Sequence, residues 1–279
     1  MKNSKKLLAA GVVVGCLTVG TTGIIALANG NAYQNFKTAA MQTMQAKNMT
    51  VQSVSSVTRN GEVIVSGTQT RQTDGDQFYV SSEMAADGKT VITESAKKDS
   101  ELIYVIDGKY YQTSFGDEEY GRRDGRSLED SPNSKKMMEM VTDLLVGDVK
   151  NHFSGDQNHV SVSLDGAQVP ELLNVAAAAM SEQAGNRRSD RVQDFPDSYR
   201  GHMDISQMSN LQIKAISMDA DIVNGLLDNT NVSITISYNN AQGQAEEMSF
   251  YAESKISDVG TTVPDTIDLT GKTVEEMAE

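Results

Sequence analysis

Four two-residue pairs do most to limit what this chain can fold into. Asn60-Gly61, Asp74-Gly75, Asp87-Gly88 and Asp107-Gly108 each join a short polar residue that tolerates positive φ to a glycine that adopts it freely. Tight hairpins need that chemistry, because their type I′ turns place both central residues in the left-handed region. Between the pairs, β-branched and apolar residues alternate with polar ones, as they do in strands with one covered face. The spacing predicts an antiparallel meander of five or six strands over about Met49 to Phe115, with Lys97-Lys98-Asp99-Ser100 as an extra turn in the longest interval.

The flanks read differently. Tyr33, Phe36, Ala40 and Met44 recur at steps of three and four, which predicts a helix over about Ala32 to Ala46. A second helix is predicted from Ser134 to Val146, with Met137, Met140, Val141 and Leu144 on one face and Gly147 as its stop. Val160, Val162 and Leu164 alternate as a strand, and Asp165-Gly166 turns the chain. Pro170 then suits the first position of a third helix carrying Leu172, Leu173, Ala176, Ala179 and Met180. Asp117 to Asn133 and Gly185 to Gly201 are polar and rich in breakers, so both read as loops, the second long enough to be mobile. Beyond it, Leu211 to Val223 alternates with a phase slip near Ala215-Ile216, the mark of a bulge. Val232, Ile234, Ile236 and Tyr238 face one side of a strand and are answered by Met248, Phe250, Ala252 and Ile256. The expected fold class is α+β, an antiparallel sheet with three helices, in one domain over residues 29–279.

Residues 1–28 form a leader. Met1 to Lys6 is basic, Leu7 to Ala28 carries no charge, and Ala26-Leu27-Ala28 offers an A-x-A cleavage signal with Ala26 and Ala28 as the processing residues. The apolar run also reaches transmembrane length, so an uncleaved signal anchor is the competing route. Val13-Val14-Gly15-Cys16 allows a third, lipidation of the one cysteine in the chain. On each route the chain is exported, either secreted or held at the outer face of the cytoplasmic membrane. An exported part without cysteine can form no disulfide, which suits a Gram-positive type of envelope.

Charge and motif content remove several function classes. The formal net charge is −14, and three lysines of the leader are included in it, so nucleic acid is not an expected partner. The longest basic cluster, Asn186-Arg187-Arg188-Ser189-Asp190-Arg191, reads as a solvated loop. Histidine occurs only at His152, His159 and His202, without the i, i+4 pairing of a zinc hydrolase. Ser95-Ala96-Lys97-Lys98 matches S-x-x-K but lacks the companion S-D-N and K-T-G signatures. Gly271-Lys272-Thr273 lacks the glycine that a phosphate-binding loop needs at Thr266, and Asp219-Ala220-Asp221 has Val223 where a calcium loop needs its next ligand. Acidic pairs at Asp117-Glu118-Glu119 and Glu246-Glu247 come without tryptophan for sugar stacking. The expectation is a protein that is not an enzyme, with no catalytic residue, no metal and no cofactor.

The order helix, meander, helix, strand, helix, long loop and closing hairpin strands resembles the LolA-like lipoprotein-carrier superfamily over about Ala32 to Leu269. That resemblance implies a curved antiparallel half-barrel with the three helices packed on its concave face. The chain is also similar to exported envelope proteins of Firmicutes type. This likeness is carried by Ala32-Tyr33-Gln34-Asn35-Phe36-Lys37, by Asp107-Gly108-Lys109-Tyr110-Tyr111, and by Val263-Pro264-Asp265-Thr266-Ile267-Asp268-Leu269-Thr270-Gly271-Lys272. It implies an envelope role and an association with envelope-stress signalling. Flexible thioethers suit an adaptable apolar pocket as well as a core, so Met137, Met140, Leu144, Leu172 and Met180 are the candidate ligand-binding residues. The expected function is non-catalytic binding of a lipid or other amphiphile outside the cytoplasm. A membrane-tethered sensor or interaction module with an envelope protein partner is the alternative.

Overall fold

The structure is a computed structural model and describes residues 31–114, 149–171, 174 and 208–276. It opens with helix α1 (Asn31–Gln45). Six strands follow, β1 (Asn48–Arg59), β2 (Glu62–Asp74), β3 (Gln77–Ala86), β4 (Lys89–Lys98), β5 (Glu101–Ile106) and β6 (Lys109–Ser114). The later strands are β7 (Phe153–Gly155), β8 (His159–Asp165), β9 (Ser209–Val223), β10 (Leu226–Asn239), β11 (Ala245–Ser257) and β12 (Val274–Glu276). All twelve belong to one sheet in the order β12-β6-β5-β4-β3-β2-β1-β11-β10-β9-β8-β7.

Three of the four turn pairs hold both residues at positive φ, whereas at the fourth Asp74 ends β2 and only Gly75 turns. Asn60 and Gly61, Asp87 and Gly88, and Asp107 and Gly108 all have positive φ, as does Asp99 at the additional turn. Six strands therefore occupy the stretch read as a meander, each paired with its neighbour. A further pair, Asn224-Gly225, has the same conformation and joins β9 to β10; the sequence reading did not single it out. The phase slip read near Ala215-Ile216 appears as a register shift against Thr235 and Ile236 of β10.

Two expectations are corrected. The half-barrel with three helices on its concave face is not what the chain forms: among the described residues, twelve strands are accompanied by one α-helix. The segments read as the second helix, and nearly all of the third, lie outside the described residues, as does the loop at 185–201. The sheet is also not purely antiparallel, because β12 pairs with β6 in parallel. The physical reason is in the strands. β9, β10 and β11 are long and pair with one another along their edges, so the described residues extend one wide sheet, with α1 packed on its β7 to β10 part.

Alternation along the strands sorts side chains onto two faces. On the first face, Val160, Val162 and Leu164 of β8 align with Ala220, Met218 and Ile216 of β9. Helix α1 packs there, inserting Ala32, Phe36, Ala39 and Ala40. Ala39 and Ala40 are essentially inaccessible, and their small side chains let helix and sheet approach closely. Phe153 at the sheet edge packs edge-on against Tyr33, with ring centroids 5.0 Å apart, and lies 5.9 Å from the ring of Phe36.

The second face is crossed by the chain after β11. Thr262 accepts from Asn48 Nδ2 at 2.9 Å through its carbonyl, donates its N–H to Asn48 Oδ1 at 2.8 Å, and lies 3.0 Å from the Thr50 hydroxyl. Farther along, the Asp265 N–H donates to Gln72 Oε1 at 2.7 Å, and Lys272 lies over the Tyr110 ring. Thr50, Gln72 and Tyr110 share this face by register, so residues 258–273 form a strap from β1 across to β6. Among the described residues no helix is long and apolar enough to cross a membrane.

Candidate functional site

The residues singled out for ligand binding, Met137, Met140, Leu144, Leu172 and Met180, lie outside the described residues, as do Ala26 and Ala28 of the leader. The structure instead brings together a different apolar group on the α1 side of the sheet, where β2 and β3 meet β1, β11 and β10. Val57, Val65, Met84, Ala86, Ile236, Tyr238 and Met248 form one buried cluster. Helix α1 packs on β7, β8, β9 and β10, away from the β2 and β3 part of this cluster. The strand alternation was legible in the sequence. The convergence was not, because β1 meets β11 only through a pairing between residues some 200 positions apart.

Polar groups bound this cluster on two sides. Along one side, Ser53, Gln69 and Ser82 lie opposite one another on successive strands and are all buried. Ser53 Oγ is 3.2 Å from Ser254 Oγ, and Gln69 Nε2 donates to Ser82 Oγ at 3.4 Å. Ser55 and Gly67 occupy the next rung, in register with Met84. On the other side, Glu246 accepts from the Tyr238 hydroxyl at 2.7 Å and from Asn240 Nδ2 at 2.7 Å, and Arg59 Nε stands 3.7 Å from it. Burial, helped by the bond to Glu246, pushes the Tyr238 phenol up to about 12. The bonds from Tyr238 and Asn240 hold the Glu246 carboxyl below its ordinary value. At neutral pH this end therefore carries a protonated phenol bonded to a carboxylate, with the Arg59 side chain beside them, a polar anchor.

On the opposite face, one histidine stands between two aspartates. His159, at the start of β8, meets Asp221 through Nδ1 at 2.8 Å and Asp219 through Nε2 at 3.7 Å. Among the described residues, no three His, Cys, Asp or Glu side chains are placed to hold a metal ion. His152 ends a 3₁₀ turn at Lys150–His152, and His202 lies outside the described residues. The hydrogen bond to Asp221 raises the His159 pKa above 6.5, with the charges of Asp221, Asp219 and Asp156 adding to it and desolvation opposing it. A raised folded-state pKa stabilises the fold below the unfolded value, and that contribution is lost as pH rises through the folded one. Asp221→Asn is accordingly expected to move the His159 titration midpoint down toward 6.5. Proton NMR of the imidazole Cε1–H reads this directly, and an unmoved midpoint would show that the Asp221 bond does not act in solution.

Comparison with known proteins adds no family. No family model matches the chain, and no curated protein matches it. Among solved structures, a provisionally assigned thioesterase II from Thermobifida fusca YX aligns at 8% identity and a TM-score of 0.11, over 85% of this chain and 90% of that one. A conserved protein of unknown function with a hot dog fold, from Alicyclobacillus acidocaldarius, aligns at 8% identity and a TM-score of 0.11, over 80% of this chain and 86% of that one. Likeness at that level carries no argument about this chain's fold or activity.

Proposed function

We propose that this chain is a non-catalytic protein of the cell envelope, working outside the cytoplasmic membrane, that binds a lipid or other amphiphile on the α1 side of its sheet. One observation carries the reading. The buried cluster of Val57, Val65, Met84, Ala86 and Met248 is apolar, yet it is bounded by buried hydroxyls on one side and by the Arg59–Glu246–Tyr238 group on the other. A ligand with an apolar body and a polar end needs that combination, since binding surfaces are mostly apolar with a few placed polar groups. The leader, with its basic start and Ala26-Leu27-Ala28, supports the location.

Native mass spectrometry after gentle purification tests it. A bound mass of lipid size is expected on the chain, and Met84→Glu, which sets an unpaired carboxylate in the cluster, should remove it while far-ultraviolet circular dichroism stays unchanged. A wild-type chain that carries no adduct and takes up none from mixed lipid micelles would overturn the reading.

A membrane-tethered sensor or interaction module is the second reading, favoured by the face opposite α1. Over β8 to β11 that face is polar, with Tyr251 37% exposed among Asn231, Glu253 and Ser233, and its hydroxyl bonded to Asn231 and Glu253. An exposed tyrosine held in place suits a protein contact, where tyrosine is enriched. The native N-terminus separates the readings. A chain beginning at Asn29 fits a diffusing carrier, whereas an intact Met1 or Lys2, or an acylated Cys16, fits a tethered module.

A further inference from the structure

We propose that β12 is a removable guard on the β6 edge of the sheet, and that the strand able to take its place is β6 of a second copy of this chain. The inference is independent of the ligand reading. It starts from the two ends of the strand order. An open edge offers unpaired N–H and C=O groups to any extended chain, so edge strands are usually kept short, bulged, charged or covered. At the β7 end the edge is blunted. β7 has three residues, and Gly155 sits at φ +115, where a Cβ would collide with the His159 carbonyl. The β6 end has no such protection of its own. Its six residues, Lys109-Tyr110-Tyr111-Gln112-Thr113-Ser114, contain no proline, only one charge and three good strand formers.

Among the described residues, β12 is what pairs with the outer edge of β6. β12 is three residues long and makes the one parallel pairing among the described strands, with Val274 opposite Tyr110, Glu275 opposite Tyr111 and Glu276 opposite Gln112. Parallel pairs are somewhat weaker per residue than antiparallel ones. Gly271, at φ +69, lies just before β12, and Glu275 and Glu276 are exposed. The hydrogen bonds to Asn48, Thr50 and Gln72 that fasten the strap lie at its other end, so β12 can leave without disturbing them.

The β6 edge is complementary to itself. Antiparallel pairing about a two-fold axis at Gln112 sets Tyr111 opposite Thr113 of the partner subunit and Tyr110 opposite Ser114 of the partner subunit, with no like charges facing each other. That ladder is longer than the three-residue pairing it replaces. Carboxylates at Glu275 and Glu276 make β12 a good guard for the monomer, because they repel a second acidic chain while in place.

Sedimentation velocity decides the matter, comparing the full chain with one stopped after Thr273. The full chain should sediment as a monomer. The shortened chain should form a reversible dimer at least about tenfold tighter than any formed by the full chain. Gln112→Pro in the shortened chain should return it to monomer, because proline has no N–H for the new ladder. A folded shortened chain that stays monomeric overturns the proposal, and so does a dimer that ignores Gln112→Pro. Should the shortened chain fail to fold, hydrogen exchange on the intact chain decides instead. The amides of β12 and the β6 edge should exchange by local opening, much faster than those of β2 and β3; exchange only through global unfolding would mean that β12 does not leave.

Discussion

Phe36→Ala is expected to destabilise the fold by about 3–5 kcal/mol, the range for truncating a buried phenylalanine. Phe36 is 4% exposed on the face of α1 that meets β8 and β9. Its ring is one of three aromatic rings, with Tyr33 and Phe153, that tie α1 to the sheet edge. Removing it leaves a void that its neighbours cannot fill cheaply. Ala39 and Ala40 have no side chain to extend, and Val160 and Leu164 are held by the sheet. For a domain of this size such a loss lowers Tm by about 10 °C. Urea unfolding followed by circular dichroism should show a lower midpoint with the slope unchanged. Met41→Ala on the same helix, at a position 46% exposed, should stay within about 0.5 kcal/mol of the parent. Equal effects at the two positions would mean that α1 does not pack on the sheet as described.

Thr43→Val should cost about 1–3 kcal/mol although it keeps size and branching, because it leaves a buried backbone group without its partner. The Thr43 hydroxyl donates to the Ala39 carbonyl at 2.8 Å and accepts the Leu227 N–H at 2.9 Å, and the residue is buried. Leu227 stands at the start of β10, where the register against β9 shifts between Leu227 and Asn229. The sheet ladder therefore does not satisfy this N–H, and the helix does. Thr43→Ser keeps the hydroxyl and should recover most of the loss, less the methyl group. A stability series in which valine matches threonine and serine falls below both would show that packing, rather than the hydrogen bond, sets the role of this position.

These two residues also show how far the letters carry. Phe36 was legible, because it recurs with Tyr33 and Ala40 on one face of a helical period. Thr43 was not, because its importance depends on an N–H that a strand register leaves unpaired 184 positions away. The same division holds at the candidate site. Val57, Val65 and Met84 lie in the stretch whose alternation predicts strands, and no short window singles them out. That they meet Ile236 and Met248 in one cluster with a polar border follows from the β1–β11 pairing. The methionines and leucines expected to line an apolar pocket, Met137, Met140, Leu144, Leu172 and Met180, stand out by helical period and by the flexibility of the thioether. Period states that a residue turns inward and is silent about what it meets there.

Local sterics are what the amino-acid sequence determined by itself. Asn60-Gly61, Asp87-Gly88 and Asp107-Gly108 fold back over two residues because few other dipeptides accept positive φ in succession, and Gly75 and Asp99 supply positive φ at the other two turns, so the succession β1 to β6 is specified locally. Alternation then assigned each strand two faces. Pairings without a turn to dictate them were decided only by the tertiary structure: β11 beside β1, β12 parallel to β6, one helix over β7 to β10 and a strap across the opposite face. A strand edge carries the same N–H and C=O groups whatever its side chains, so its partner is chosen by competition among all the edges that the fold brings within reach. That competition has no signature in any short window of residues.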